Sequence, residues 1–361
     1  MNSSLNASGA ILSDQMPLIS VCIPTYNGRE HLAACIDSIR SQTFADFEVV
    51  ICDDQSSDGT LDFARQLAEG DERFRFIPNP RRLGLASNWN NCVNEARGEW
   101  IKFVFQDDTI APACLDKLLG ACRDSGKPFG FCDRDFIFEN GTSERQREYS
   151  NWHRQRVHDD FNAEQSVSPE HVIRIAANAL THNLVGEPTV TLINKSLFNE
   201  LGGFDEGLIQ LCDAEFWSRI MIHHGGVFVP ESLASFRIHA KATTTLNNRQ
   251  RAFRGQVLDT LLYWYKIAFG SQFKPMRNAK VSGKSTLMLR LGCANYAAKA
   301  WKEARESSGA TAGNSSDSML ADWKLVKSLY PALQPLVYLG LAVRIVRKVQ
   351  RRINRKAMQP I

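Results

Sequence analysis

The first third of the chain alternates between short apolar runs and segments whose apolar residues recur at helical spacing. The first run, "LISVCIPTYNG" at 18–28, is followed by Leu32, Cys35, Ile36 and Ile39, which repeat every three to four residues. The same order returns three more times before residue 125, and the runs end in clusters of Pro, Asn, Gly, Asp or Ser. The pattern therefore predicts four consecutive β–α units.

The apolar runs are continuous, which is typical of strands covered on both faces in a parallel sheet. In such sheets ligands bind beyond the carboxyl ends of the strands. The clusters "PTYNG", "CDDQSSDG" and "FQDDT" each follow one predicted strand directly. We therefore expect these three clusters to meet at one edge of the sheet.

The pattern changes after residue 125. "PFGFCDRDFIF" predicts another strand, whereas "SERQREYSNWHRQRVHDDFNAEQ" is so polar that a mobile loop or an insertion is expected. Ser168 then begins a helix as its N-cap. Strand, helix and glycine turn follow in "VGEPTVTLINKSLFNELGGFDEGL", a helix in "CDAEFWSRIMIHHGG" and a pair of strands in "VFVPESLASFRIHAKATT". Beyond 247 the pattern is mostly helical, with a flexible linker expected at 306–318.

Composition narrows the class of protein. The 361 residues are 43% hydrophobic with a net charge of +4, which fits a globular protein and gives no reason to expect nucleic acid as a partner. The nine cysteines include no CxxC pair, which favours buried, reduced thiols in a cytoplasmic protein. Residues 1–16 lack the features of a signal peptide and are expected to be a disordered tail.

The C-terminus carries most of the clustered positive charge. An apolar stretch at 335–346 is too short to span a bilayer. The cationic segment "RIVRKVQRRINRK" at 344–356 overlaps its end. We expect an amphipathic helix over 335–356 that lies on an anionic membrane surface, at the inner face of the plasma membrane. A solvated basic tail, or a helix packed on the protein itself, is the alternative.

Paired carboxylates are the main candidates for chemistry. Asp107 and Asp108 stand side by side at a strand end, where their oxygens could bind Mg²⁺ or Mn²⁺; an Asp-rich turn is the simpler alternative. Asp53 and Asp54 repeat the pattern and could accept hydrogen bonds from a base or a sugar, or cap the next helix. Tyr26 could stack on a flat ring.

Two later segments add a candidate base and a candidate ligand. Asp213 and Glu215 begin a predicted helix, where a carboxylate could act as a general base or merely complement the helix dipole. His239 lies among basic and hydroxyl side chains, so it could bind metal or phosphate, although a structural histidine is the simpler interpretation.

Taken in order, these segments resemble the family 2 glycosyltransferases, which have a GT-A nucleotide-sugar-binding fold. The resemblance runs from about 17 to 245 through "VCIPTYNGREHLAACIDSIRSQTFADFEVVICDDQSSDGT", "NPRRLGLASNWNNCVNEARGEWIKFVFQDD", "GGFDE", "CDAEFWSRI" and "FRIHAKATT". It implies a Rossmann-like, mainly parallel sheet between helices, a catalytic domain at 17–246 and a helical C-terminal region at 247–361.

The resemblance also implies roles for individual residues. Asp213 would be the catalytic base, and Asp108 with His239 would hold a divalent cation, Mn²⁺ or Mg²⁺. Two departures stand out: Gln106 precedes the paired acids, and Cys212 replaces the first acid of an "ED" pair, a loss for which Glu215 could partly compensate. The residues implied to bind the nucleotide or donor sugar are Pro24, Tyr26, Asp53, Asp54, Asn79, Arg82, Gly84, Asn88 and Asp107.

The implied activity is inverting transfer of a sugar from a nucleoside diphosphate donor to a hydroxyl group. The acceptor would be a glycan or a lipid-linked glycan in cell-surface polysaccharide or lipopolysaccharide synthesis. A nucleotidyltransferase and a catalytically silent nucleotide-sugar-binding scaffold are the alternatives. Against the first, the chain has no glycine-rich phosphate loop after its first strand; against the second, Asp107, Asp108 and Asp213 are all present.

Overall fold

The computed structural model describes residues 16–162, 166–176, 182–250, 252–279, 286–307 and 314–357. Within these ranges the predicted α/β fold is confirmed: one mixed sheet lies among helices, and helices make up the C-terminal region. The strands are β1 Ile19–Thr25, β2 Phe47–Asp53, β3 Phe74–Pro78, β4 Trp100–Phe103, β5 Thr109–Ile110, β6 Phe129–Phe138, β7 Ser166–Val167, β8 Thr191–Asn194 and β9 Gly226–Ile238.

Helices connect the strands and form the C-terminal region. The helices are α1 Leu32–Arg40, α2 Thr60–Leu67, α3 Leu85–Glu95, α4 Cys114–Ser125, α5 Glu144–Phe161, α6 Pro169–Ala176, α7 Ser196–Leu201, α8 Cys212–His224, α9 Thr243–Gln250, α10 Asp259–Phe269, α11 Lys274–Asn278, α12 Thr286–Ser307, α13 Asn314–Leu329 and α14 Leu333–Ala357. A π-helical segment, Phe253–Leu258, leads directly into α10.

The first four β–α units form the parallel half of the sheet, as predicted. The strands lie in the order β3-β2-β1-β4, and every neighbouring pair in this half is parallel. All residues of β1 and β2 are buried, because helices cover both faces. Thr25 lies opposite Asp53, and Asp53 opposite Pro78, so the polar clusters after these strands share one edge.

The other half of the sheet is mixed. β8 pairs antiparallel with both β4 and β6, and β6 runs parallel to β9. The prediction of a pair of strands in "VFVPESLASFRIHAKATT" is wrong, because Gly226–Ile238 is one strand. Its register against β6 jumps from Val229 to Ser232, which leaves Pro230 and Glu231 as an irregularity that resembles a turn in the sequence.

The expectation of a mobile loop at 143–165 is also wrong, because α5 occupies most of this segment. Ser143 and Gln146 form a capping box that starts the helix. Its buried positions are Ser150, His153, Val157 and Phe161, and two of these are polar. Their three- and four-residue spacing is helical, but hydrophobicity alone does not reveal it.

Other sequence predictions hold. The Oγ atom of Ser168 accepts a hydrogen bond from the backbone N–H of His171, 3.2 Å away, at the start of α6. All nine cysteines are buried free thiols. In the predicted linker, 306–307 and 314–318 belong to helices α12 and α13, whereas 308–313 lie outside the described residues, as do 1–15 of the predicted tail.

The C-terminal helices pack on the rest of the fold. In α10, one carboxylate oxygen of Asp259 accepts hydrogen bonds from the backbone N–H groups of Ile209, Gln210 and Leu211 at 2.7–3.2 Å. Asp259 is fully buried, and burial raises its pKa to about 6. The hydroxyl of Tyr263 donates to the carbonyl of Ala214, 3.0 Å away. Helix α10 therefore fixes the loop that leads into α8.

Helices α12 and α14 cross at close range. A Cβ atom at Gly340 would lie 1.9 Å from the carbonyl oxygen of Ala294, so only glycine permits this approach. The guanidinium of Arg344 donates to the side-chain oxygen of Asn295 at 2.8 Å. The first part of α14 therefore packs on the protein. None of the helices described here combines the length and apolar character that crossing a membrane requires.

We predict that Asp259→Ala lowers the free energy of unfolding by about 3 kcal/mol, because three backbone donors lose their acceptor and the buried guanidinium of Arg254 loses its ion-pair partner, 3.6 Å away. Urea unfolding followed by circular dichroism measures this loss. Asp62→Ala is the matched control, since Asp62 is exposed on α2, and its effect is expected to stay below about 0.5 kcal/mol. Equal stability of Asp259→Ala and the parent chain would contradict the assignment.

Candidate active site

A cleft of about 240 Å³ opens at the edge of the sheet where the parallel strands end. Its lining comes from loops after β1, β2, β3 and β4, from the segments before β8 and α8, and from the start of α9. The predicted site residues that line it are Pro24, Tyr26, Asp54, Arg82, Gly84, Asn88, Asp107 and Asp213. Four others, Asp53, Asn79, Asp108 and His239, are not part of the lining but contact residues that form it.

Asp54 shapes one wall of the cleft. Its two carboxylate oxygens accept hydrogen bonds from the backbone N–H groups of Leu83 at 2.6 Å and Gly84 at 2.9 Å, and from the amide of Asn79 at 3.0 Å. Gly84 has a φ of +92°, a conformation that favours glycine. Asp54 therefore holds the loop before α3 against the end of β2.

Asp53 and two asparagines support this wall from behind. Asp53 accepts hydrogen bonds from the hydroxyl of Thr25 and from the backbone and hydroxyl of Ser56, all within 2.9 Å. The amide of Asn79 donates to the side-chain oxygen of Asn88 at 2.8 Å, and Asn88 donates to the carbonyl of Cys52. These buried contacts make the wall rigid, and they leave Asp53 a supporting position rather than one in the cleft.

Tyr26 forms the outer part of the same wall. Its ring is 37% exposed, and the guanidinium of Arg82 lies 4.0 Å from the ring centre. The side-chain amide of Gln106 both accepts from and donates to the backbone of Tyr26, at 2.9 and 3.2 Å. A Cβ atom on Gly28 would lie 2.0 Å from this amide, so the contact needs glycine there.

The two adjacent carboxylates after β4 have different surroundings. Asp107 lines the cleft, whereas Asp108 is fully buried. Asp108 accepts a hydrogen bond from the hydroxyl of Thr189 at 2.5 Å and another from the backbone N–H of Arg237 at 3.0 Å. Burial, followed by the charge of Asp107, raises the pKa of Asp108 well above its usual range. The structure therefore gives Asp108 a position behind the cleft rather than the ligand position expected for it.

A group of possible cation ligands lies beside Asp107. Its carboxylate is 3.0 Å from the Nε2 atom of His239. His31, Glu139 and His239 each offer one ligand atom within 4.8 Å of the others, and all three are half-buried. A carboxylate oxygen next to an imidazole nitrogen is a donor set that suits a divalent transition metal such as Mn²⁺. The residues present therefore fit a divalent cation at this place.

Asp213 lies at the first turn of α8. Its carboxylate accepts hydrogen bonds from the backbone N–H of Ala214 at 2.6 Å and from the side-chain amide of Asn183 at 3.0 Å. Loss of hydration raises the pKa of Asp213 to about 7, and the nearby negative charge of Glu187 adds to the shift. A carboxylate with this pKa, open to a cleft, can take up a proton near neutral pH.

Glu215 does not support Asp213, contrary to the suggestion from the sequence. Two residues along a helix turn the side chain to the opposite side. Glu215 is fully buried there, 2.7 Å from the guanidinium of Arg219 and 3.0 Å from the ammonium of Lys266. Its role is to hold α8 against α10.

Sequence reasoning missed three residues of the site. Glu187 lines the cleft and is held by the buried guanidinium of Arg134, 2.6 Å away. Asn183 orients Asp213, and Gln106 joins two loops of the cleft. The segment "GEPT" at 186–189 carried a usable signal. An acid directly before a proline and a strand is unsuited to a buried structural position, which indicates a residue of the site.

Comparisons with known proteins identify the family of this chain. The model of the family described as Glycosyl transferase family 2 matches residues 20–183. An uncharacterized protein of Mycobacterium tuberculosis is 36% identical over 253 residues, which are 69% of this chain and 75% of the relative. A Campylobacter jejuni GalNAc(5)-diNAcBac-PP-undecaprenol beta-1,3-glucosyltransferase is 34% identical over 119 residues, 32% of this chain and 38% of that enzyme.

Solved structures show the same fold. The mannosyltransferase PcManGT from Pyrobaculum calidifontis, in complex with GDP-Man and Mn²⁺, has a TM-score of 0.53 and 19% identity, covering 91% of this chain and 85% of that one. Residues 1–349 of TarS from S. aureus, in complex with UDP-GlcNAc, have a TM-score of 0.53 and 15% identity, covering 89% and 84%. At this identity the likeness concerns the fold alone.

Proposed function

The chain belongs to glycosyl transferase family 2 and is a glycosyltransferase, and from this premise we propose that its cleft transfers a sugar from a nucleoside diphosphate donor to a hydroxyl group of a glycan or lipid-linked acceptor. The reaction inverts the anomeric centre and serves cell-surface polysaccharide synthesis. Relatives named for related reactions, including the undecaprenol-linked glucosyltransferase and a teichuronic acid biosynthesis glycosyltransferase of Bacillus subtilis, support this direction.

One observation carries the proposal: Asp107 and Asp213, which come from separate parts of the fold, line the same cleft. A reaction that displaces a diphosphate needs charge stabilisation at the leaving group and proton removal at the attacking hydroxyl. Asp107 and His239 would serve the first need by holding a divalent cation, and Asp213 serves the second. The cleft then receives the donor sugar.

The wall made by Pro24, Tyr26, Asp54 and the loop at 82–84 binds the nucleotide. Tyr26 offers an exposed ring for the base, with Arg82 next to it to contact a phosphate or the base. Asp54 acts mainly by holding Leu83 and Gly84 in place, since three N–H groups already bind its oxygens. Asn79, Asn88 and Asp53 act through the same wall.

We assign the divalent cation to Asp107 and His239, and not to Asp108. Asp107 lines the cleft and touches His239, whereas both oxygens of Asp108 bind protein donors away from the cleft. When bound, the cation neutralises negative charge on the leaving diphosphate. Asp108 contributes by holding Asp107 in its outward position.

Asp213 is the catalytic base. It removes the proton of the acceptor hydroxyl as that oxygen bonds to the anomeric carbon. The bond from this carbon to the donor phosphate breaks, and its electron pair leaves with the nucleoside diphosphate. Asn183 and the backbone N–H of Ala214 hold the carboxylate in place while the proton moves.

Contact with a membrane through 335–356 is part of the proposal. On α14 the side chains of Tyr338, Leu339 and Ile345 are 63%, 43% and 64% exposed; the first two precede the basic run and Ile345 lies at its start. These apolar side chains can enter a lipid surface while Lys and Arg residues bind its headgroups. Such contact would place the enzyme at the cytoplasmic face, close to a lipid-linked acceptor.

We predict that one member of a panel of UDP-, GDP- and dTDP-sugars raises the melting temperature only when Mn²⁺ is present. Asp107→Ala should abolish this Mn²⁺ dependence, whereas the isosteric Asp108→Asn should keep it, because Asp108 is not a ligand. Thermal melting with and without Mn²⁺ measures both. Loss of the dependence in Asp108→Asn with retention in Asp107→Ala would reverse the assignment, and a panel without any stabilising donor would refute the binding site.

We predict that Asp213→Asn lowers kcat at least about 100-fold while donor affinity stays close to that of the parent chain. Activity of the parent chain should rise with pH through about 7, because the base must be deprotonated. Glu187→Gln should move this rise to lower pH, since it removes a negative charge that favours the protonated acid. Rates measured from pH 5 to 9 test the direction; a shift to higher pH would contradict it.

We predict that the chain sediments with vesicles containing anionic lipid and not with neutral vesicles. The double variant Tyr338→Ser/Ile345→Ser should weaken this binding, since it removes the exposed apolar groups. Leu287→Ser is the matched control, because Leu287 is 64% exposed at the start of α12. Equal sedimentation of all three proteins with anionic vesicles would refute contact through α14.

A further inference from the structure

Helix α5 presents two large aromatic side chains to solvent. Tyr149 is 63% exposed and Trp152 is 48% exposed, although every other residue of their helix face is polar. Their ring centres are 5.8 Å apart and the rings are inclined by 34°, so they form a continuous aromatic surface. Large exposed aromatic rings placed together are unfavourable in water, and such a surface marks a place where a protein binds a ligand or a partner.

Helix α5, which carries this aromatic surface, is connected to the catalytic base through His153 and Asn183. The inner side of α5 carries His153, whose Nε2 atom is 2.8 Å from the carbonyl oxygen of Asn183. The amide of Asn183 donates to the carboxylate of Asp213 at 3.0 Å. The ring of His182 packs edge-on against Trp152, with ring centres 6.2 Å apart. The surface therefore adjoins the residues that position Asp213.

A second link runs through the acidic wall of the cleft. The Nδ1 atom of His153 is 2.6 Å from the guanidinium of Arg134, and the same guanidinium holds Glu187 at 2.6 Å. His153 therefore links α5 to Glu187, which lines the cleft, as well as to Asn183.

Polar groups border the aromatic surface. The guanidinium of Arg156 lies 5.6 Å from the centre of the Trp152 ring and 3.0 Å from the Nδ1 atom of His182. A pyranose ring has one face of C–H groups, which can pack on an aromatic ring, and an equatorial rim of hydroxyl groups, which need donors and acceptors. The combination of flat rings with Arg156 and His182 at their edges suits that chemistry better than it suits an acyl chain.

We propose that Tyr149 and Trp152 form the binding surface for a pyranose ring of the acceptor glycan. This inference rests on the proposed function, because it takes Asp213 as the base that activates the acceptor hydroxyl. A sugar packed on α5 would present its hydroxyl groups to the end of the cleft where Asp213 lies. The donor wall around Tyr26 comes from separate loops, so acceptor binding can be altered without changing donor binding.

The test uses the full chain with the donor that stabilises it and a panel of methyl and p-nitrophenyl glycosides of glucose, galactose, mannose and N-acetylglucosamine. Trp152→Ala and Tyr149→Ala should each raise the acceptor KM roughly tenfold or more, while donor hydrolysis by water stays unchanged. Trp152→Phe and Tyr149→Phe keep an aromatic ring and should recover most of the loss. Leu287→Ala, which removes an equally exposed apolar side chain from α12, should have no effect.

Saturation-transfer NMR with the methyl glycosides tests binding without turnover. The parent chain should transfer saturation to the C–H protons of one pyranose face, and Trp152→Ala should lose this transfer. An unchanged acceptor KM in Trp152→Ala and Tyr149→Ala would overturn the proposal. A loss of donor hydrolysis equal to the loss of sugar transfer to the acceptor would overturn it as well. If no donor binds the parent chain, the proposed function fails, and the NMR experiment alone tests sugar binding by α5. A signal that is present in the parent chain and lost in Trp152→Ala supports sugar binding by α5. The lack of a signal in the parent chain refutes it.

Discussion

The buried carboxylate of Asp108 joins the parts of the molecule that form its cleft. It binds the hydroxyl of Thr189, two residues after Glu187, and the backbone N–H of Arg237, two residues before His239. It also precedes β5 in the chain. A carboxylate buried in this way is stable only if its partners stay in place, so one group ties three distant segments together. The outward direction of Asp107 follows, because its neighbour is held inward.

Much of the fold is readable from the sequence, and the parts that are not have physical reasons. Continuous apolar runs in 18–103 identify β1, β2 and β4 because those strands are buried along their whole length. Helix α5 escapes detection because its buried face contains the polar residues Ser150 and His153, and His153 finds its partners Arg134 and Asn183 only in the folded protein. The bulge at Pro230 and Glu231 looks like a turn because a bulge and a turn use the same residue types.

The site shows the same division. Strand ends locate Tyr26, Asp54 and Asp107 correctly at the cleft, because parallel strands bring their carboxyl ends to one edge. Adjacency in sequence could not tell which of Asp107 and Asp108 faces the cleft, since neighbouring residues point in different directions and tertiary contacts decide between them. Glu187 and Asn183 escaped because their importance comes from Arg134 and Asp213, which are distant in the chain.

The contact between Gly28 and Gln106 has a consequence for how this enzyme can vary. The amide of Gln106 fills the space that any side chain at position 28 would need, and it pairs with the backbone of Tyr26. A substitution at either position alone therefore breaks or crowds the joint between two loops of the cleft. In descendants of this chain the two positions are expected to change together: a larger residue at 28 becomes acceptable only when the residue at 106 is shortened.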